Sequence, residues 1–296
     1  MSEAIDAIKG SAPPLITPFK DGAVDYQAYA GLVEFHLERS HCILVNGTTS
    51  EPAMLTVEER NKTCDTAMDV AKGKAPVIVA TGSQNLIETK QLTDHAAQAG
   101  ADALLIVTPY YSRPPQRGII EYYLEATRDH DVPWMIYHIP GRAAVSVTLD
   151  TVKELKDRSP TFIGMKHAVN DLGFVSECLD AVPGYKVFVG LEELSYPMMA
   201  VGAVGLMNAV GNLCPEKLSE MCEAVWAGDM AKGQDLHAGL LELNQSVFYD
   251  TNPIPLKYMM MRMGLIPKNE HRLPMAPATP DLEKRLDGVL ERAGLI

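Results

Sequence analysis

The sequence predicts a closed (β/α)8 barrel with additional helices at its C-terminal end. Eight short, apolar, β-rich runs recur at the intervals of βαβ units. The clearest of them are near-continuous rather than alternating, as strands covered on both faces require. The first run ends in Thr17-Pro18-Phe19, with no glycine-rich phosphate loop, which disfavours an open doubly wound sheet.

In chain order the runs are Pro14–Thr17, Cys42–Val45, Pro76–Thr81, Ala103–Thr108, Pro133–Ile139, Phe162–Lys166, Lys186–Gly190 and Ala203–Asn208. Helical patterns lie between them. Thr56 and Glu59 have the spacing of a capping box, opening a helix after the second strand. Leu92, Ala96 and Ala99 fall on one helical face, as do Ile119, Tyr123 and Ala126, and Gly100 sits where the first of these helices should stop. The uncharged run Ser195–Cys214 contains Pro197, glycines, Asn208 and Asn212, and reads as core strand plus turns rather than a membrane span. Leu218, Met221, Cys222 and Val225 mark another amphipathic helix.

After the eighth run nearly 90 residues remain, against roughly 20 for a closing barrel helix. Helical stretches follow Gly233 and Pro255, and Met259, Met260, Met261 and Met263 read as core or subunit packing. No linker, charge block or low-complexity stretch interrupts the chain. One catalytic domain over residues 1–296 is expected, with the barrel over about 1–225 and the C-terminal helices over about 226–296.

A formal net charge of −12 argues against nucleic acid and anionic membranes. It does not argue against a small anionic substrate, because a few local cations reverse the field inside a cleft. The five cysteines are odd in number and form no C-x-x-C pair. They read as reduced, buried thiols of a cytoplasmic protein rather than a disulfide frame or zinc site. Met1 to Gly10 has no apolar signal core. The eight histidines show no H-x-H or H-E-x-x-H spacing, although His138 and His167 fall at strand ends. No P-loop, G-x-S-x-G or flavin signature is present, so neither metal nor cofactor is expected.

In such barrels the active site lies at the C-terminal ends of the strands. The second strand runs into Gly47-Thr48-Thr49-Ser50-Glu51, the fourth into Thr108-Pro109-Tyr110-Tyr111, the fifth into Tyr137-His138 and then Pro140-Gly141-Arg142, and the sixth into Lys166-His167. Period two puts Phe162, Gly164 and Lys166 on one face, and if that face is inward Gly164 leaves room for the amine. A buried lysine is costly to keep charged, so its pKa should fall. At the ordinary value of about 10.4, roughly one amine in 2,500 is neutral at pH 7, and desolvation would expose a nucleophile for carbonyl addition. On position alone, a rim lysine paired with a carboxylate is the better explanation of Lys166. Tyr137 could relay protons or simply pack. The Thr48-Thr49 turn could bind a carboxylate or only open a helix. Arg142 could hold a carboxylate in bidentate fashion or be solvated.

Taken together, these residues resemble the dihydrodipicolinate synthase/N-acetylneuraminate lyase family. The likeness runs from Leu15-Ile16-Thr17-Pro18-Phe19 to Asn252-Pro253-Ile254-Pro255-Leu256-Lys257 and Arg272-Leu273-Pro274-Met275. The resemblance implies a Schiff base between Lys166 and the keto carbon of pyruvate, whose carboxylate the Thr48-Thr49 turn would bind. It implies Tyr137 as proton shuttle, extended by Thr49 and by Tyr111, the latter reaching a neighbouring subunit's site. It places His138 and Gly190 among the substrate-binding residues. No metal or organic cofactor is implied, since the iminium is itself the electron sink. The implied assembly is a homotetramer or homodimer.

Arg142 after Pro140-Gly141 looks like the synthase branch, where arginine receives the carboxylate of aspartate semialdehyde. The expected activity is therefore condensation of pyruvate with that aldehyde, in lysine biosynthesis. A pyruvate-releasing aldolase or dehydratase for a 2-keto-3-deoxy acid or other hydroxy-oxo acid is the alternative, and a silent oxo-acid-binding barrel is a third reading. The sequence departs from the family at Ser50 (Gly in G-T-T-G-E), His138 (Asn in Y-N-V-P), His167 (Glu in G-I-K-E-A) and Gly190-Leu191-Glu192 (for G-D-D). These changes are expected to surround the site and to bear on the second substrate. Glu88 and Tyr110 match the family's regulatory lysine pocket, while Val57 and Arg60 stand where some members have histidines.

Overall fold

The computed structural model describes residues 2–296. Its main sheet has eight parallel strands: β1 (Gly10–Ser11), β2 (Ile43–Val45), β3 (Val77–Ala80), β4 (Ala103–Val107), β5 (Trp134–His138), β6 (Phe162–His167), β7 (Lys186–Val189) and β8 (Gly205–Leu206). Their order is β1-β8-β7-β6-β5-β4-β3-β2, and a lone bridge between Pro14 and Leu44 joins the two ends into a barrel. The first strand begins earlier than the predicted Pro14–Thr17. Pro13 and Pro14 lack the N–H a longer ladder needs, so Ala12 donates to Leu206 on one side while Leu15 donates to Leu44 on the other.

A helix follows each strand: α1 (Tyr26–Leu37), α2 (Val57–Ala71), α3 (Leu86–Ala99), α4 (Gln116–Thr127), α5 (Leu149–Arg158), α6 (Leu172–Ala181), α7 (Ser195–Ala200) and α8 (Pro215–Trp226). The Thr56–Glu59 capping box is formed reciprocally at the start of α2, and Gly100 ends α3 at φ 89°. Helix α7 corrects the reading of Ser195–Cys214 as strand and turns only. Pro197 falls in the first turn, where no N–H is needed, and Met198 and Met199 are buried beneath it.

Alternation along the strands separates two cores. Val45, Val79, Ile106, Ile136 and Val189 face the helices, whereas Leu44, Ile78, Leu105, Met135 and Phe188 fill the barrel. All five cysteines are free and buried. Beyond the barrel lie α9 (Met230–Gly239), α10 (Leu241–Ser246), α11 (Ile254–Arg262) and α12 (Pro280–Ala293). Met259 and Met260 are fully buried core residues, as the apolar cluster suggests. Among the described residues no helix is long and apolar enough to cross a membrane.

Candidate active site

Strands β5 and β6 pair so that Tyr137 lies beside Lys166 and His138 beside His167. Tyr137 belongs to the core inside the barrel, which puts Lys166, its register partner, on the same inward side. Only 4% of Lys166 is exposed, and its Nζ sits 4.5 Å from the centre of the Tyr137 ring.

The expected face Phe162, Gly164, Lys166 is broken. A register irregularity at Trp134/Met135 lets Phe162 join the outer core and turns Ile163 inward. Gly164 serves a different purpose from the one predicted: a Cβ there would overlap the carbonyl oxygen of Lys186 on β7. The glycine that clears space for the lysine is Gly190, where a Cβ would come within 3.0 Å of both Lys166 Cε and Ala168 Cβ.

Thr48–Ser50 forms a single 3-10 turn opened by Gly47. Thr48 Oγ1 donates to the Tyr137 hydroxyl at 3.3 Å. Thr49 Oγ1 accepts from the amide of Asn252 at 3.0 Å. Ser50 is buried and donates to the Leu15 carbonyl, so this departure from the family pattern lies in the wall and not in the cavity. Glu51 follows at φ 56°, with its carboxylate 2.8 Å from Lys257 Nζ. Asn252 and Lys257 thus bring the C-terminal extension onto the turn. Both lie in the Asn252–Lys257 motif, but contacts more than 200 residues apart in sequence leave no periodic signal.

A cavity of about 620 Å³ opens at this end of the barrel. Thr48, Tyr137, Leu105, Ile139, Arg142 and Asn252 line it, with Arg142 exposed to solvent. The cavity continues toward Gly82, Glu88 and Tyr110, where the buried Arg60 donates to the Ala80 carbonyl at 3.1 Å and lies 3.5 Å from Glu88.

Four expected residues stand apart from this grouping, the first being Thr49, whose hydroxyl is turned to Asn252 and does not line the cavity. Tyr111 is 91% exposed, at φ 73°, and does not line the cavity. His138 and His167 are buried on the helix-facing side, with ring centres 5.8 and 5.6 Å from that of Phe174 in α6. Placing His138 at the cavity is thus corrected by strand alternation: if Tyr137 points in, its neighbour points out. Burial pushes both histidines down to about 4.

The sequence reading assigned no role to Glu192. It is buried just beyond β7, accepts from Ala209 N at 2.6 Å and leaves Oε2 without a partner among the described residues. Burial pushes its carboxyl up to about 7, against the pull of the Lys166 charge.

A barrel with a shielded lysine, an adjacent phenol and a hydroxyl-bearing turn has the layout of an aldolase-type lyase. A sequence model of the dihydrodipicolinate synthetase family matches residues 7–293, and the chain belongs to that family. It is 43% identical to a 4-hydroxy-tetrahydrodipicolinate synthase of Thermus thermophilus, over 97% of each chain. The crystal structure of dihydrodipicolinate synthase from Aquifex aeolicus superposes with a TM-score of 0.95 at 36% identity, covering 97% of this chain and 99% of that one. The enzyme from Acinetobacter baumannii complexed with pyruvate gives a TM-score of 0.94 at 34% identity, covering 98% and 100%.

Proposed function

We propose that this chain is a 4-hydroxy-tetrahydrodipicolinate synthase joining pyruvate to aspartate semialdehyde through a Schiff base on Lys166. The observation that carries the reading is the register pair Tyr137–Lys166, with Thr48 on the phenol and Arg142 on the same cavity. In its neutral form Lys166 Nζ adds to the keto carbon of pyruvate, and the carbinolamine loses water to give an iminium. The methyl group then gives up a proton, with Tyr137 as the shuttle and the Thr48 hydroxyl next to it in the relay, since Asn252 holds the hydroxyl of Thr49. The enamine so formed attacks the aldehyde carbon, and the new alkoxide takes up a proton. The amino group of the second substrate displaces Lys166 as the ring closes.

The Thr48-Thr49 turn holds the pyruvate carboxylate, and Arg142 receives that of the semialdehyde. The positions of His138 and His167 favour this reading over an aldolase for a hydroxy-oxo acid. Both depart from the family pattern, yet both face α6, so they leave the cavity wall unchanged. Tyr111, exposed and outside its own cavity, is available to a second copy of the chain in a homotetramer or homodimer.

Two measurements test the proposal. Borohydride reduction in the presence of pyruvate, followed by peptide mass spectrometry, is expected to place one adduct on Lys166, and an unmodified lysine would sink the Schiff-base reading. A coupled assay is expected to show turnover with aspartate semialdehyde and none with a panel of hydroxy-oxo acids; the opposite outcome would assign the chain to pyruvate release.

A further inference from the structure

The loop after β5 carries Arg142, and His138 closes it from the strand side. His138 ends β5, and its Nε2 accepts from the backbone N–H of Val147 at 3.2 Å, nine residues on. Between them, Pro140–Ala143 forms one helical turn. Arg142 and Ala143 donate to the Ile139 carbonyl, and Ala144 donates to that of Pro140. Those bonds tie the turn to itself, and it is fixed at its start by β5 and at its return by the imidazole. Gln116 of α4 holds the return from outside, donating to Ser146 O at 2.7 Å and accepting from Thr148 N at 3.2 Å. Arg142 is exposed, so the backbone beneath it sets where its guanidinium can reach.

The hydrogen-bond pattern also assigns the tautomers. Because His138 Nε2 accepts, its proton is on Nδ1, which donates to His167 Nδ1 at 3.1 Å. His167 therefore carries its own proton on Nε2. That N–H is buried without a partner among the described residues, beside Phe174. The charged group acting on the pair is Asp171, which caps α6. His167 thus holds the neighbouring ring in the one orientation and tautomer that can receive Val147.

We propose that His138 is a positioning residue for the second substrate: by tying Val147 it places Arg142, and it sets affinity for the carboxylate-bearing aldehyde without touching either substrate. The inference rests on the synthase reading above, and it gives a role to a residue that follows Tyr137 on the strand but faces away from the cavity.

The test compares His138→Phe, which keeps a ring and loses the acceptor, with His138→Gln, whose carbonyl oxygen reaches as far as Nε2. For the phenylalanine variant KM for aspartate semialdehyde is expected to rise about tenfold or more. KM for pyruvate and the yield of borohydride-trapped adduct should stay within about twofold. The glutamine variant is expected to recover most of the lost affinity, and exchange of the Val147 amide should quicken in the first variant only. Should the phenylalanine variant not fold, His138→Leu is read in the same way. An unchanged semialdehyde KM, or equal losses for both substrates, overturns the positioning role. A native chain that traps no pyruvate overturns the synthase reading and this inference with it.

Discussion

Lys257 Nζ lies 2.8 Å from Glu51 Oε1, with both side chains out of solvent, and joins the C-terminal helices to the turn that carries Thr48 and Thr49. The lysine also donates to the Glu270 carbonyl at 2.6 Å, and its charge faces the Phe19 ring. Burial lowers the Lys257 pKa and Glu51 works against that shift. Lys257→Met would leave Glu51 buried without its direct ion-pair partner, with the His271 ring 3.5 Å away and the Arg272 charge acting from further off. Removing one partner of a buried pair costs about 3–5 kcal/mol, more than the pair itself contributes over an apolar replacement. Urea unfolding should show a loss of that size, with much of it recovered in Lys257→Met/Glu51→Gln. A single variant as stable as the native chain would mean that the pair is not buried as described.

Gly190→Ala tests whether space beside the lysine matters. The added methyl meets Lys166 Cε and Ala168 Cβ, each at 3.0 Å. The lysine chain can yield by a few tenths of an ångström, so the fold should survive, but the amine is displaced from its place beneath Tyr137. A loss of about ten- to a hundredfold in kcat/KM is expected, with a melting temperature near that of the native chain. Native-like activity would mean that the lysine has slack.

Tyr137→Phe removes the hydroxyl that Thr48 donates to and keeps the ring that lies against Lys166. If the phenol shuttles protons, kcat should fall about a hundredfold or more. Pyruvate should still be trapped on Lys166, only more slowly. Thr48→Val should have a smaller effect on kcat, since it leaves the phenol in place. Full activity of the phenylalanine variant would remove Tyr137 from the proton path.

The barrel was legible because its strands are apolar on both faces and short, and its helices carry their own caps, as at Thr56 and Gly100. The lysine, tyrosine and threonine turn were legible because strand ends in such a fold converge. The errors came where backbone meets backbone. Only the register irregularity at Trp134/Met135 explains why Phe162 and Lys166 part company, and only the approach of β7 explains Gly164. For His138, adjacency in sequence to Tyr137 looks like adjacency to the site, while a strand sends neighbours to opposite faces. Asn252 and Lys257 stand out in sequence only as a motif, and their partners Thr49 and Glu51 emerge when distant parts of the chain meet.

Stability should fall steeply as pH drops from 6.5 toward 4. Burial holds His36, His138 and His167 each at about 4 in the folded chain, against about 6.5 when unfolded. Between those values the unfolded chain binds protons that the folded chain refuses, so stability is greatest above 6.5 and is lost on acidification. Glu192 acts in the opposite sense. Its folded value of about 7 lies above the ordinary carboxyl range, so its contribution is present at low pH and disappears as pH rises through 7. Near pH 5, these three histidines against that carboxyl leave a net of about two protons, or roughly 2–3 kcal/mol of lost stability per pH unit, and His41 and His237, also lowered by burial, act in the same direction. Urea midpoints at pH 5.0 and 6.0 measure this directly. Glu192→Gln removes the opposing group and should steepen the dependence by about one proton, whereas His36→Phe should flatten it by the same amount. A midpoint that does not move between the two pH values would show that the buried imidazoles find protons, or water, in the folded chain.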